Sequence, residues 1–493
     1  MPIKLSRKNI YFRPDSKRVL ARYFNLSDER KGKVILRILA LNKTEKEETL
    51  NQLLRNFSNR HRNIIDIWED NFKKCMRSNL DQNILKYPYL YKDKLLIGAY
   101  FTMEYSVESA AFFNPSIVES PDQTRLGNDE KRIILSFRAI GEGHVSSIVF
   151  RTGIIDDNLD IKLDKVSALL ERPKQIKNYV YYKKDFFNKL FTLDCVTDQF
   201  YNIVFNKFPD SFIYEELRLL IHDLRKEYGY DSKYDQFLNH LFWLASSHYQ
   251  ITYSIETSIS ERVIFPVSDT EKNGIEDARF LKFNHGNGKF TYYATYTAYD
   301  GINIMPKLLS TKDFVTFKIQ PINGKIANKG SALFPRKIKG KYAMLCRIDG
   351  EKNYISFSND LINWQEDIIL LNEPQYSWEF IQVGNCGAPI ETDKGWLILT
   401  HSVGPMREYT ISASLLDLED PTKIIGSLKE PLLYPNQEER EGYVPNVVYS
   451  CGQIIHHGFL IIPYAMSDHS STYATINLDD LLTELLENPK LHD

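Results

Sequence analysis

Cysteine and tryptophan are scarce in this chain, with five of each among 493 residues. The cysteines lie far apart and include no Cys-x-x-Cys pair, which argues against a disulfide framework and against a zinc site. Their positions are Cys75, Cys195, Cys346, Cys386 and Cys451. An excess of positive charge is also missing, because 62 Lys and Arg face 64 Asp and Glu for a formal net charge of −2. We therefore expect neither a bound metal nor a nucleic-acid partner.

Long apolar runs are absent as well. No segment approaches the roughly 18–20 apolar residues that cross a bilayer, and the polar stretch Met1–Arg7 lacks the apolar core of a secretory signal. These observations predict a cytoplasmic protein without a membrane partner. The chain also has no GxGxxG, Walker, HExxH or GxSxG motif, so nucleotide-binding, zinc-protease and serine-hydrolase functions lack support.

Two regions have the composition and apolar spacing of helices. The first, residues 1–95, is rich in charge and carries apolar residues at near-helical spacing between Lys43 and Lys73. The second lies at about 160–253, where Phe212–Tyr228 and Tyr234–His248 show the spacing of amphipathic helices. We predict a helical N-terminal region and a helical insertion that packs with it.

The rest of the chain, residues 96–485, consists of short aromatic segments typical of strands, in keeping with its 30 Tyr and 28 Phe. Paired segments begin at Ile133 and again at Tyr292, Tyr342, Trp396 and Phe459, the last four at intervals of 50, 54 and 63 residues. Units of about 40–50 residues, each a few antiparallel strands, are typical of β-propellers. We predict a mainly β fold, a five-bladed propeller with the helical insertion between blades one and two. An irregular β-sandwich is the alternative.

A propeller brings polar groups from several blades together at one end of its axis. The chain supplies such groups near the predicted inner strands: Asn114, Arg138, Glu276, Asp277, Lys329, Arg347, His401 and Asp468. The loop Gly274–Phe280 is the best candidate for chemistry, because glycosidic bond cleavage needs a positioned carboxylic acid. Asp277 has the alternative of pairing with Arg279 to close a turn. Likewise Arg138 fits a structural ion pair, and His401 fits a buried core histidine.

Several motifs in this order resemble glycoside hydrolase family 130, the β-mannoside phosphorylases and related mannosidases. They are Phe113-Asn114-Pro115, Phe137-Arg138-Ala139, Gly274–Arg279, Asn328–Pro335, Gly387-Ala388-Pro389, Gly395-Trp396-Leu397, Leu415–Pro421, Val444–Val448 and Ser467-Asp468. The resemblance covers about two thirds of the chain. It implies a five-bladed propeller that cleaves β-mannoside oligosaccharides with inversion, without a cofactor other than inorganic phosphate as a co-substrate.

The resemblance also implies roles for individual residues. Asp277 matches the general acid, which acts through a hydroxyl of the mannosyl unit. Asn114, Arg138, Lys329 and Asp468 match residues around the non-reducing mannosyl group, and His401 matches the histidine after the Gly-Trp-Leu strand. Glu276 and Arg347 complete the predicted substrate-binding set.

One departure from the family bears on the acceptor. Phosphorylases tend to carry a phosphate-binding arginine within the stretch that reads Thr297–Gly301 here, where this chain has Tyr299 and Asp300. Loss of an anion-binding arginine weakens phosphorolysis, and a carboxylate in its place repels phosphate. This departure therefore favours water as the nucleophile, with Glu379 nominated as the base. The alternatives are a β-mannoside phosphorylase that releases mannose 1-phosphate and a non-catalytic glycan-binding propeller. A homo-oligomer formed through the helical additions is a further hypothesis.

Overall fold

The computed structural model describes residues 4–176, 179–192, 198–228, 232–326, 328–364 and 368–488. Most regular structure in these residues is antiparallel β-sheet, which confirms the predicted mainly β class. Helices are concentrated in the N-terminal region and in one insertion, with one more at the C-terminal end.

The first two sheets are built from long strands whose centres are buried. The first contains Ala111–Glu119, Lys131–Ile140, Ser146–Ile155 and Ile161–Leu163, with Val263–Ile264 at its side. The second contains Gly274–Asn284, Phe290–Tyr299, Ile304–Thr311 and Thr316–Pro321, extended by Tyr249–Thr252 and Lys174–Ile176. A single parallel pairing between Gly274 and Ser146 joins the two sheets.

Three further sheets follow in chain order. The third contains Ala332–Leu333, Tyr342–Cys346, Asn353–Ser358 and Ile368–Asn372. The fourth contains Gln382–Asn385, Ile390–Glu391, Trp396–Val403, Tyr409–Leu416 and Ile424–Ser427. The fifth contains Val448–Tyr449, Ile454–His456, Phe459–Met466 and Ser470–Asn477. The paired segments predicted from the sequence are observed at slightly greater length.

The five sheets contact one another in cyclic order. Strand Gly274–Asn284 of the second sheet packs on strand Ala111–Glu119 of the first sheet. The second sheet contacts the third, the third contacts the fourth, and the fourth contacts the fifth. The fifth sheet then packs against the first through Phe459–Met466 and Ala111–Glu119. The N-terminal strand Ser6–Arg7 pairs with Ser470–Asn477, so the beginning of the chain completes the last sheet.

The helical regions match the predictions in part. The N-terminal region contains Asp28–Ala40, Lys43–Phe57, Ile64–Met76, Gln82–Leu85 and Tyr91–Tyr100. Residues before Asp28 are not helical, because they include Ser6–Arg7 and the strand Val19–Tyr23, which pairs with Thr102–Ser106. The mostly helical region predicted for residues 1–95 thus begins with two short strands, whose backbone groups are taken up by sheet pairing. The division of the chain at residue 95 stays a prediction.

The insertion contains more helices than the sequence indicated. The two predicted helices are observed as Tyr214–Tyr228 and Ser232–Ser246, and Lys183–Thr192 and Asp198–Lys207 precede them. Two short strands, Val180–Tyr182 and Ser211–Ile213, flank the first pair of helices in the chain and pair with each other antiparallel. Buried side chains of the insertion, such as Phe187 and Leu241, share one apolar core with Phe280 and Tyr296 of the second sheet. The insertion thus packs directly against that sheet. The C-terminal helix is Leu478–Glu487.

A fully buried group of charges links the N-terminal region to the first sheet. Both Arg18 and Arg151 donate to the carboxylate of Glu108, at 2.7 and 2.6 Å, and the three side chains are almost completely shielded from solvent. Arg18 also donates to the backbone oxygen of Ser260. Glu108 is the shared anion of two buried cations. Loss of its charge therefore leaves two buried guanidinium groups without a counter-charge.

Replacing Glu108 with Gln is expected to lower the free energy of unfolding by about 3–5 kcal/mol, because two buried guanidinium groups lose their counter-charge. The matched control is Glu29→Gln, which breaks the exposed helical pair with Lys33 and is expected to cost less than about 0.5 kcal/mol. Chemical denaturation of both variants measures the difference. A Glu108→Gln effect as small as that of the control would contradict the account.

Candidate active site

Three candidate residues stand on backbone held in the left-handed region. Asn114 (φ 51°) and Asp277 (φ 54°) each lie at a β-bulge on the first strand of their sheet, and Asp468 (φ 52°) lies in the turn after Phe459–Met466. Such a conformation costs a non-glycine residue roughly 1–2 kcal/mol, and Asn and Asp tolerate it best. A bulge also re-aims a side chain. The backbone strain therefore directs these polar groups to one place.

Side chains from the first two sheets and from the segment before the third sheet meet around Glu276 and Asp277. Asn114 Nδ2 donates to Asp277 Oδ1 at 2.7 Å, and Arg138 Nη1 lies 3.5 Å from the same oxygen. Arg138 Nη2 donates to Glu276 Oε1 at 2.7 Å, while Lys329 Nζ donates to Glu276 Oε2 at 2.6 Å. We call these five residues the acidic cluster. The structure thus brings together five of the predicted site residues.

The charges of the cluster set the pKa of Asp277. Burial alone raises the pKa of this carboxyl, but the nearby Arg138 and Arg279 and the hydrogen bond from Asn114 outweigh it, so the pKa falls below its ordinary value. Asp277 is therefore ionised in the unliganded site. A group that is to act as an acid must gain its proton when substrate binds.

Asp468 responds to the same surroundings in the opposite way. Burial raises the pKa of this carboxyl to about 6, and the negative charges of Asp277 and Glu276 add to the effect against the attraction of Arg138. Asp468 makes no hydrogen bond to the acidic cluster among the described residues, so only the field of the cluster reaches it. Asp468 is therefore the carboxyl of the site that gains a proton in the mildly acidic range.

Arg279 has a different role from the one that its position beside Asp277 suggested. Its buried guanidinium donates to the backbone oxygens of Asp277 (2.9 Å) and Cys386 (2.6 Å) and to the hydroxyl of Tyr449 (2.7 Å). It therefore does not close the turn through the carboxylate of Asp277. Instead, it connects the strand Gly274–Asn284 to Cys386, next to the strand Gln382–Asn385, and to the strand Val448–Tyr449. The sequence shows an arginine beside Asp277, but it does not predict the partners of that arginine, because Cys386 and Tyr449 are distant in the chain.

Two further predicted site residues, Arg347 and His401, lie near Arg279. Arg347 Nη2 donates to the oxygen of Gly350 and to Gln382 Oε1 at 3.3 Å, and its buried Nε has no partner among the described residues. The ring of His401 contacts that of Tyr449, with centroids 4.7 Å apart. Burial, followed by the charges of Arg347 and Arg279, lowers the pKa of His401 well below its usual value. His401 is therefore a neutral imidazole beside a permanent cation.

Glu379 is held by its own turn. Its Oε1 accepts hydrogen bonds from the backbone N–H groups of Gln375 (2.7 Å) and Tyr376 (3.1 Å). An oxygen that already accepts two N–H groups is a weak proton acceptor. This geometry does not favour the role of base that the sequence suggested for Glu379.

The carboxylate of Asp300 is likewise committed to its own turn. Its Oδ1 accepts from the backbone N–H groups of Ile302 (2.9 Å) and Asn303 (2.6 Å), and its Oδ2 accepts from Asn303 Nδ2 (3.2 Å). This carboxylate closes the turn after Phe290–Tyr299, so its repulsion of phosphate no longer favours water as the nucleophile. The other reason for favouring water, the missing arginine in Thr297–Gly301, is unchanged.

Several known proteins are similar to this chain. Residues 228–487 match the sequence model of glycoside hydrolase family 130, which is described as beta-1,4-mannooligosaccharide phosphorylase. A 1,2-beta-oligomannan phosphorylase of Thermoanaerobacter sp. (strain X514) is 35% identical over 43% of this chain and 72% of its own length. A beta-1,2-mannobiose phosphorylase of Listeria innocua is 31% identical over 45% of this chain and 63% of its own length. A crystal structure of beta-1,2-mannobiose phosphorylase from Listeria innocua has 23% identity and a TM-score of 0.45, covering 77% of this chain and 93% of that one.

These findings place the chain among carbohydrate-active enzymes. The chain belongs to glycoside hydrolase family 130. The resemblance seen in the sequence is thereby confirmed, whereas the preference for hydrolysis is not, since the relatives are named as phosphorylases. None of the helices in the described residues is long and apolar enough to cross a membrane. The described residues also contain no group of three or more His, Cys, Asp or Glu that fits a metal ion.

The raised pKa of Asp468 makes a prediction about stability. A carboxyl whose pKa is higher in the folded than in the unfolded protein favours folding below the unfolded pKa, and this contribution is lost as pH rises through about 6. Asp468→Asn removes this pH-dependent loss of stability, because an amide does not ionise. The free energy of unfolding of the variant relative to the native chain should therefore rise by roughly 1–2 kcal/mol between pH 5 and pH 7.5.

Chemical denaturation of Asp468→Asn and the native chain at both pH values measures this difference. The matched control is Asp420→Asn, because Asp420 is partly exposed and its pKa is lowered by hydrogen bonds from Thr422. No relative gain in stability toward higher pH is expected for the control. A pH-independent difference for Asp468→Asn would rule out an elevated pKa at this position.

Proposed function

We propose that this protein is an inverting β-mannoside phosphorylase. It transfers the mannosyl group of a β-mannoside oligosaccharide to inorganic phosphate and releases α-mannose 1-phosphate. The observation that carries the proposal is the pairing of a positioned carboxyl, Asp277, with the neighbouring group of Arg347 and His401, together with relatives that are named as phosphorylases. Hydrolysis, the first preference from the sequence, becomes the alternative outcome.

We also propose that the five sheets form the blades of a five-bladed propeller. Their contacts in cyclic order and the completion of the fifth sheet by Ser6–Arg7 support this arrangement. The bulges at Asn114 and Asp277 then lie on the innermost strands of two neighbouring blades. This explains how groups far apart in the chain share one site.

Asp277 is the proposed proton donor. In the empty site it is ionised by its hydrogen bond from Asn114 and by the charge of Arg138. A sugar that displaces solvent and takes over these donors raises the pKa of the carboxyl, because both influences that favour the charged form weaken. As the family resemblance implies, the proton then reaches the leaving oxygen through a hydroxyl of the mannosyl unit.

Phosphate is the proposed nucleophile at the opposite face of the sugar. The permanent charge of Arg347, with its unpartnered Nε, and the half-exposed ammonium of Lys329 suit a phosphate dianion. One oxygen of hydrogen phosphate forms a bond to the anomeric carbon as the glycosidic bond breaks. The proton that Asp277 gives to the leaving sugar is restored by the proton that the phosphate ester loses. No separate base is needed, in agreement with the commitment of Glu379 to its turn.

The linkage we propose is β-1,2. The first two relatives are named for 1,2-linked oligomannan and mannobiose, and another relative is named for β-1,4-mannooligosaccharides. The oligosaccharide is the only partner that the proposal requires, and a homo-oligomer stays a prediction.

Incubation with β-1,2-mannobiose in the presence and absence of phosphate tests the proposed reaction. We expect mannose 1-phosphate and mannose only when phosphate is present, because the phosphate dianion supplies the nucleophile. Asp277→Asn should reduce turnover at least about 10³-fold, since it removes the proton donor, while leaving the melting temperature within a few degrees of the native value. Free mannose as the sole product without phosphate would establish hydrolysis instead. Binding without any product would establish a glycan-binding protein.

Arg347 tests the anion site separately from the acid. Arg347→Met is expected to raise the KM for phosphate at least about tenfold, because one charge-assisted contact is lost, with a smaller change in the KM for the disaccharide. Arg336→Met is the matched control, since Arg336 pairs with Glu391 away from the acidic cluster. Initial rates at varied phosphate and fixed disaccharide measure both constants. Equal effects on the two KM values would place Arg347 outside the phosphate site.

A further inference from the structure

A cavity of about 210 Å³ lies where the helical insertion meets a separate pair of short parallel strands, Asn323–Gly324 and Asn363–Trp364. Tyr179, Tyr182 and Asp185 line it from the insertion, and Asn323, Asp360 and Asn363 line it from the sheet side. None of these six residues belongs to the acidic cluster or to the group around Arg347. The proposed reaction therefore leaves this cavity without a role.

The sheet side of the cavity presents a hydrogen-bond acceptor. Asn323 is 7% exposed, and its Oδ1 has no partner among the described residues, while its Nδ2 donates to Asn363 Oδ1 at 3.1 Å. A buried amide oxygen without a donor costs free energy that a ligand hydroxyl recovers. Asp360 is fixed at the same wall, since its Oδ1 accepts from the backbone N–H groups of Ile362 (2.7 Å) and Asn363 (2.6 Å). Its Oδ2 also accepts from Asn363 Nδ2 at 3.1 Å, so Asp360 is committed to its turn and Asn323 Oδ1 is the acceptor that this wall offers to a ligand.

The insertion side adds a carboxyl and aromatic rings. Burial, with a contribution from the charge of Asp360, raises the pKa of Asp185. Tyr182 is 63% exposed and offers an open ring, whereas Tyr179 is held against the ring of His248 with centroids 4.6 Å apart. Tyrosine combines an apolar face with a polar tip. The cavity therefore has one aromatic side and one acceptor side.

This chemistry selects a class of ligand. Two carboxyl groups, Asp185 and Asp360, disfavour an anion, and the ammonium of Lys189, which donates to the oxygen of Ile322 at 2.6 Å, disfavours a cation. A neutral molecule with several hydroxyl donors and an apolar face satisfies both sides. The volume is below the roughly 300–1,000 Å³ typical of pockets for larger ligands, so one ring is the expected size.

We propose that this cavity binds one pyranose ring of a manno-oligosaccharide and anchors long substrates away from the reacting bond. The identity of the sugar rests on the proposed function, whereas the preference for a neutral polyol rests on the cavity itself. Hydroxyl groups donate to Asn323 Oδ1 and to the carboxyl of Asp185, and the apolar face of the ring lies on Tyr182. The helical insertion thereby gains a function in retaining substrate.

Tyr182→Ala in the full chain tests the anchor. Compared with the native protein, we expect a KM about three- to tenfold higher for a β-1,2-linked mannan of ten or more units, because one aromatic contact is lost. The KM for β-1,2-mannobiose and kcat for both substrates should be unchanged. Tyr100→Ala is the matched control, since Tyr100 is a half-exposed ring on an N-terminal helix. Asp185→Asn provides a second test that preserves side-chain volume.

Direct binding separates this proposal from the proposed reaction. Saturation-transfer NMR with the same mannan should detect a contact that Tyr182→Ala weakens and Asp277→Asn leaves in place, whether or not phosphate supports cleavage. Binding that depends on Tyr182 without phosphorolysis would support the anchor and reject the proposed function. Phosphorolysis with identical KM values for long and short substrates in native and Tyr182→Ala protein, together with unchanged NMR contacts, would overturn the anchor alone.

Discussion

The site depends on the hydrogen bonds of one buried guanidinium group, that of Arg279. It donates to backbone oxygens of Asp277 and Cys386 and to the hydroxyl of Tyr449, and thus joins segments that lie in or next to three different sheets. Small residues allow those segments to approach closely, since a Cβ on Gly387 would lie 2.5 Å from the Cα of Gly452. By holding the carbonyl of Asp277, Arg279 supports the left-handed backbone of that residue. The strain at Asp277 is tolerated because the surrounding contacts determine its position.

The same arrangement divides the carboxyl groups of the site by function. Arg138 lies between Glu276 and Asp277 and keeps Asp277 ionised, while Asp468 has no such partner and its pKa rises to about 6. Carboxyl groups whose pKa values are separated by their surroundings are common where acids and bases have distinct tasks. In our account, substrate reverses the state of Asp277 by taking the places of its donors. The permanent positive charge of Arg347 and the neutral imidazole of His401 remain beside it for the nucleophile.

Much of the fold could be predicted because repeated strands leave a local pattern of apolar residues. Tyr292, Tyr342, Trp396 and Phe459 each belong to a strand of a separate sheet, as the spacing indicated. The meeting of Asn114, Arg138 and Asp277 was likewise suggested by their motifs. Interactions between distant residues were not predictable. The pairing of Ser6–Arg7 with the last sheet, the hydrogen bonds of Arg279 and the turn bonds of Asp300 depend on neighbours or backbone geometry that no local pattern records.

The stereochemistry of the first product is the most direct test of the account, because it reports both the nucleophile and the number of displacement steps. Proton NMR of the anomeric region during the first minutes of reaction with β-1,2-mannobiose and phosphate measures it. A single displacement by phosphate opposite Asp277 predicts α-mannose 1-phosphate from the earliest time point. β-Mannose 1-phosphate would require a covalent intermediate, and free α-mannose formed at the same rate without phosphate would make water the nucleophile. Either of those two results would contradict the central claim.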